Sequence, residues 1–158
     1  MRTLLIGFVP ILAPGIALAA GTDGLIGNWK LVSNQVTIDN GPPFDYPGPN
    51  PKGFLILTAE GRMMAFIAAG DDRRFGPSDA DQAKLFRSML AYTGKYRLEG
   101  DDFVTSVDAS WNQEWTGTEQ RHHYTLAGDT LTIVSAPVPV PGQQEKTAIG
   151  TLVWEREK

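Results

Sequence analysis

Cysteine is absent from this chain of 158 residues. Without it there are no disulfide bonds, no thiolate metal ligands and no cysteine nucleophile. Positive charge is also scarce, because 14 Lys and Arg residues stand against 18 Asp and Glu residues and no basic cluster occurs. A nucleic-acid-binding surface and a polybasic membrane surface both require such a cluster, so these two classes of function are excluded.

Several sequence motifs of enzymes and cofactor-binding proteins are missing as well. The chain has no G-x-S-x-G elbow, no glycine-rich phosphate loop, no dinucleotide fingerprint and no H-E-x-x-H motif. Its two histidines, His122 and His123, are adjacent, and successive residues of a strand point to opposite faces. They cannot reach one ion together without a bulge, so we expect no metal site, and we expect no cofactor.

The first twenty residues have the form of a secretory signal. A basic residue, Arg2, precedes an apolar stretch over residues 4–18, and small residues surround a break near Ala20. The stretch is shorter than the roughly 20 residues of a bilayer-spanning helix, and proline interrupts it. We expect residues 1–20 to be removed, leaving no transmembrane span in a periplasmic or secreted protein. A retained anchor or a structured N-terminal segment is the alternative.

The remaining residues, 21–158, are enough for one packed domain. Short runs of β-branched and aromatic residues are separated by Gly, Asp, Asn and Pro, which is typical of an all-β barrel or sandwich. Three tight turns around Gly61, Gly100 and Gly128 join neighbouring strands and predict antiparallel pairing. The eight predicted strands cover residues 28–38, 52–58, 63–68, 92–98, 103–110, 118–126, 130–135 and 147–155.

One helix is predicted over residues 79–91, capped by Ser78, with Phe86 and Leu90 on its apolar face. The Pro- and Gly-rich residues 41–51 predict an irregular loop that borders an opening. Closure of a short eight-stranded sheet removes its exposed edges and can enclose one small ligand. We therefore predict an all-β, eight-stranded antiparallel up-and-down barrel with one short helix between strands 3 and 4; a sandwich is the alternative.

Six sequence blocks resemble a known family. In chain order they are GNWKLVS (27–33), NPKGFLI (50–56), TAEGRM (58–63), YTGKY (92–96), WTGTEQ (115–120) and GTLVWER (150–156). Together they look like the lipocalin-like domain family of small bacterial and fungal proteins, over nearly all of residues 21–158. The resemblance implies a barrel with a cavity for a small, largely apolar molecule. It also implies that Gly27, Trp29 and Arg156 close one barrel end, with the guanidinium stacked on the indole.

Strand alternation then selects the side chains that face the cavity. The expected ligand-binding residues are Leu31, Ser33, Leu55, Leu57, Met63, Ala65, Tyr92, Tyr96, Gln120, His122 and Tyr124. On residues 103–110 two interpretations compete. The hydrophobic pattern places Val107 inside, whereas the family comparison turns Ser106, Asp108 and Ser110 into the cavity; we follow the second and add these three residues. Trp111 and Trp115 are expected at the cavity mouth.

Asp108 and His122 are the candidate catalytic residues. A carboxylate inside a barrel needs a partner, and His122 on the neighbouring strand is the obvious one. The pair is either a satisfied polar pair in the pocket wall or a proton shuttle in a cofactor-free isomerase or cyclase. The leading hypothesis is an exported protein that binds a small hydrophobic or amphipathic molecule inside its barrel. That enzyme, and an envelope protein acting through its surface, are the alternatives.

Overall fold

The structure, a computed structural model, describes residues 24–71, 73–140 and 143–158. The predicted signal segment, residues 1–20, lies outside this part. Ten strands form one antiparallel sheet, and the sheet closes because β1 pairs with both β3 and β10. The strands are β1 (Gly27–Ile38), β2 (Phe44–Asp45), β3 (Lys52–Leu57), β4 (Arg62–Ala68), β5 (Met89–Glu99), β6 (Asp102–Ser110), β7 (Glu119–Ala127), β8 (Thr130–Ser135), β9 (Val138–Val140) and β10 (Gln143–Arg156).

Eight of these strands form the barrel wall in the order β1, β3, β4, β5, β6, β7, β8, β10. Each wall strand is antiparallel to its neighbours, which confirms the predicted all-β, up-and-down barrel. The short strands β2 and β9 pair with β1 and β10. Proline within β9 is compatible with this position, because an edge strand does not need every backbone N–H for pairing.

The two barrel ends differ in their connections. At one end, here called the closed end, three tight turns contain Gly61, Gly100 and Gly128 with φ values of 75°, 63° and 60°. This backbone conformation is accessible to glycine without steric strain. At the other end, here called the open end, longer segments connect the strands: residues 39–51, 69–88, 111–118 and 136–142.

A cap of side-chain and backbone contacts covers the closed end. The Arg156 guanidinium lies 4.2 Å from the centre of the Trp29 ring. It also donates hydrogen bonds to the carbonyl oxygens of Ile26, at 2.8 Å, and Gly24, at 2.6 Å. The indole Nε1–H of Trp29 donates to the Leu25 carbonyl oxygen at 2.9 Å. These contacts fasten the segment before β1 to the end of β10.

Helix α1 (Asp79–Arg87) lies between β4 and β5, the third and fourth strands of the barrel wall. Ser78 and Asp81 form a capping box at its N-terminus. The helix ends at Arg87 and not at residue 91, because residues 89–91 pair with β4 and the Leu90 side chain is buried in the barrel. Among the described residues, no helix has the length and apolar character needed to cross a membrane.

Candidate functional site

On β5 to β8, cross-strand pairs determine which side chains of the lumen wall point inward. Residues directly opposite each other in an antiparallel pair share one face of the sheet. Thr105 pairs with Gln120, while His122 pairs with Phe103 on one side and Ser135 on the other. Because Phe103 belongs to the buried core, all five side chains face the lumen.

Strand β6 changes its inward face at a β-bulge. The register between β5 and β6 shifts between Thr93 and Gly94, which leaves Asp108 as the extra residue on β6. Val107 therefore points into the lumen before the bulge, and Ser110 points inward after it. The interpretation from the hydrophobic pattern therefore describes the strand before the bulge, and the interpretation from the family comparison describes Ser110 after it.

Asp108 and Ser106 lie on the outer face of the barrel, which corrects the prediction that they line the cavity. The Asp108 carboxylate forms an ion pair with Arg62, and the hydrogen bond from this guanidinium holds the pKa of the carboxyl below its ordinary value. The Ser106 hydroxyl donates to Oε1 of Glu119 at 3.2 Å. The barrel wall separates Asp108 from His122, so the structure does not form the predicted pair.

A second bulge changes the inward residues of β1. The register with β10 shifts between Leu31 and Ser33, and the extra residue, Val32, is 59% exposed. Leu31 points inward as expected. Beyond the bulge, Asn34 and not Ser33 is the buried residue, because the insertion reverses the alternation. Ser33 therefore lies outside the lumen, which corrects its predicted position.

Side chains fill the closed half of the lumen. Seven of the predicted ligand-binding residues belong to one packed core: Leu31, Leu55, Leu57, Met63, Ala65, Tyr96 and Tyr124. Trp29 and Trp154 complete it from the closed end. A ligand that reached these residues would have to displace close-packed groups, which is costly. Ligand contact by these seven residues stays a prediction.

Two polar atoms that point into the lumen beside the packed core are buried without a hydrogen-bond partner. They are Oγ1 of Thr105, a fully buried residue, and Nδ1 of His122. Within the described residues, two further side-chain atoms are buried without a hydrogen-bond partner. They are Thr116 Oγ1, in the segment between β6 and β7, and Trp154 Nε1, at the closed end. Burial lowers the pKa of His122 from 6.5 to about 4, so its imidazole is neutral near pH 7.

An aromatic cluster, formed by Tyr92, Trp111 and Trp115, lies at the open end. The Trp115 ring makes edge-to-face contacts with Tyr92, at 5.5 Å between centroids, and with Trp111, at 5.0 Å. Burial raises the pKa of Tyr92 to about 12. Edge-to-face contacts of this kind stabilise the cluster beyond its burial of apolar area.

Two recesses lie outside the lumen wall. One, of about 490 Å³, is beside α1 and is lined by residues that include Pro47, Arg73, Phe75 and Leu85. Arg73 fastens this region by donating from Nε to the Ser88 hydroxyl oxygen at 3.0 Å. The other, of about 500 Å³, is on the outer wall beside Asp108, Glu119 and Lys95. Both recesses combine cationic, anionic and apolar groups.

An apolar patch, here called the outer patch, covers part of β3 and β4. Its members, Phe54, Ile56, Met64 and Phe66, are 41–54% exposed. Phe54 pairs with Phe66 and Ile56 pairs with Met64, so the four side chains are contiguous on one face. An experiment with an apolar probe must therefore separate binding in the lumen from binding to the outer patch.

The part of the chain that the structure describes contains no group of three or more His, Asp and Glu side chains able to hold a metal ion. His123 is exposed on the outer face, opposite to His122 on the same strand. The two imidazoles therefore point to different sides of the barrel wall.

Two solved structures are similar to this chain at low identity. An uncharacterized protein from Bacteroides eggerthii has 13% identity and a TM-score of 0.41, over 84% of this chain and 98% of its own. A mutant of the fluorescent protein UnaG has 12% identity and a TM-score of 0.38, over 85% and 97%. No curated protein matches the chain. The family model described as a lipocalin-like domain matches residues 26–157. This protein therefore belongs to the lipocalin-like domain family.

Proposed function

We propose that this protein is exported and that it binds a small amphipathic molecule in the open half of its barrel. Membership of the lipocalin-like family and the closed barrel support small-molecule binding. The packed core restricts the ligand to the open half, where burial of an apolar group gives roughly 25 cal/mol per Å² removed from water.

The observation that carries this proposal is the state of Thr105 and His122. A buried polar atom without a partner costs free energy, and natural structures retain few such atoms unless a water, an ion or a ligand satisfies them. Here two of them face the same lumen, on neighbouring strands. The aromatic cluster at the open end offers an apolar surface for the rest of the molecule.

N-phenyl-1-naphthylamine, an uncharged fluorophore, tests the proposal. Its emission should rise when the protein is added. Gln120→Phe fills the open half from the lumen wall and should weaken probe binding by about tenfold or more. His123→Phe places the same ring on the outer face of the same strand and should leave the affinity unchanged.

The outer patch supplies the second control. Phe54→Ser combined with Phe66→Ser removes its aromatic surface and should leave probe binding intact. Loss of binding in this double variant, together with full binding in Gln120→Phe, would place the probe on the outer wall and contradict the proposal.

Export is tested separately on protein from its own host. The mass of the intact polypeptide should correspond to a chain that begins near Gly21, recovered from the periplasm or the medium. A full-length chain in the cytoplasmic fraction would contradict this part of the proposal.

A further inference from the structure

The two unpartnered polar atoms also indicate the chemistry of the ligand. Thr105 lies opposite Gln120, so His122, two residues further along β7, is its diagonal neighbour on the same face. Such diagonal pairs are about 7 Å apart and are within reach of one group placed between them. Both atoms are buried, so a group bound there is shielded from solvent.

The described inward face of β5 to β8 carries no charged residue. On β5 to β8, the described inward-facing polar residues of the open half are uncharged: Tyr92, Thr105, Ser110, Gln120, His122 and Ser135. Five charged residues of these strands lie on the outer face in one network of ion pairs, formed by Arg97, Arg121, Glu99, Asp102 and Glu119. Arg97 contacts Glu99 and Glu119, each at 2.7 Å, and Arg121 contacts Asp102 at 2.9 Å.

A charged group would be poorly accommodated in this wall. A carboxylate that entered would lose its hydration without gaining a counter-ion, and burial of an unpaired charge is expensive. His122 does not supply the missing positive charge near pH 7, because burial lowers its pKa to about 4. In the neutral imidazole one nitrogen donates and the other accepts, and the threonine hydroxyl can do both.

We propose that the ligand is an uncharged amphipathic molecule whose hydroxyl group hydrogen-bonds to Thr105 Oγ1 and His122 Nδ1, with its apolar part against the aromatic cluster. This inference rests on the proposed function and specifies the ligand of the same site. The proposed ligand thus differs from a fatty acid, or another anion with an apolar part of the same length, in having no charge. A water molecule held by the same two atoms is the competing explanation.

Competition between matched molecules tests the inference. N-phenyl-1-naphthylamine is bound first, and 1-decanol or decanoate is then added at pH 7.5. The alcohol should displace the probe with an affinity about tenfold or more above that of the carboxylate. Thr105→Val and His122→Leu should each weaken 1-decanol by about tenfold, and by clearly more than they weaken the probe, which has no hydroxyl group.

Two control variants and a folding measurement accompany this experiment. Thr132→Val and His123→Leu alter the same residue types on the outer face and should leave 1-decanol binding unchanged. The urea midpoint of Thr105→Val should equal or exceed that of the unmodified protein, because the variant keeps the side-chain shape and removes an unpartnered hydroxyl. A loss of alcohol binding in this variant therefore reports the hydrogen bond and not unfolding.

The outcomes separate this inference from the proposed function. The inference is wrong if the probe binds in the lumen but decanoate competes as well as 1-decanol. It is also wrong if neither Thr105→Val nor His122→Leu weakens binding of the alcohol. In both cases only water occupies the polar pair. If the probe does not bind at all, the proposed function fails and the inference fails with it.

Discussion

The guanidinium of Arg156 lies 4.2 Å from the centre of the Trp29 ring, at the end of the barrel where the first and last wall strands pair. The same guanidinium donates to the carbonyl oxygens of Gly24 and Ile26, so it joins the segment before β1 to the C-terminal strand. Because these groups are far apart in the sequence, the contact holds the first and last wall strands together and stabilises barrel closure. The closed end is therefore a structural cap.

Replacement of Arg156 by leucine should lower the free energy of unfolding by about 2 kcal/mol, because it removes a cation–π contact and two charge-assisted hydrogen bonds. Urea unfolding followed by tryptophan fluorescence measures this change. Arg156→Lys should have an intermediate effect, since an ammonium cannot reproduce the planar fork of donors. Lys158→Leu removes an equal charge from an exposed position and should be nearly neutral. Equal stability of the Arg156→Leu and Lys158→Leu variants would show that the cap contributes little.

Asp108→Asn should leave both stability and probe binding nearly unchanged. The carboxylate is on the outer face, and its ion pair with Arg62 is exposed to solvent, where such pairs contribute little. Fluorescence titration with N-phenyl-1-naphthylamine and urea unfolding check the two parts of this prediction. A large loss of probe affinity in Asp108→Asn would indicate that the carboxylate reaches the lumen, contrary to its position in the structure.

The stability of the protein should depend on the protonation of His122. Its pKa is about 4 in the folded protein and 6.5 is its ordinary value, so between these pH values the unfolded chain binds the proton more readily. The contribution of His122 to the free energy of unfolding should therefore fall by about 3 kcal/mol between pH 7 and pH 4, and this part of the loss should level off below pH 4. The inward side chains opposite His122 on β6 and β8, Phe103 and Ser135, do not titrate in this range.

Variants of the two adjacent histidines isolate this contribution in urea unfolding series at several pH values. His122→Leu should remove the His122 part of the pH dependence, whereas His123→Leu should keep it. An unchanged pH profile in His122→Leu would mean that the imidazole is solvated in the folded state.

The sequence predicted the strands well because local signals determine them. Runs of β-branched residues and the glycines of three tight turns define where the chain extends and reverses, and all eight wall strands form where they were expected. The helix was predicted too long, because pairing of residues 89–91 with β4 is a long-range interaction. Helical spacing of Phe86 and Leu90 does not reveal this competing partner.

The site was predicted less well because two bulges reverse the alternation on which its assignment depends. A single extra residue, Val32 or Asp108, changes which side of the barrel the next side chain faces. Asn34 was missed as an inward residue for this reason. Thr105 shares a face with Val107, so the hydrophobic pattern, which placed Val107 inside, also indicated that Thr105 faces the lumen. Our prediction for this strand followed the family comparison instead.

The four tryptophans provide the most direct test of where the ligand binds. Trp111 and Trp115 belong to the open-end cluster, whereas Trp29 and Trp154 are packed in the closed end. Each contributes one indole N–H signal to a ¹H–¹⁵N NMR spectrum, and 1-decanol can be titrated into the labelled protein. Our account predicts shifts of the Trp111 and Trp115 signals and unchanged signals from Trp29 and Trp154. Saturating alcohol that shifts no indole signal, or only those of Trp29 and Trp154, would contradict it.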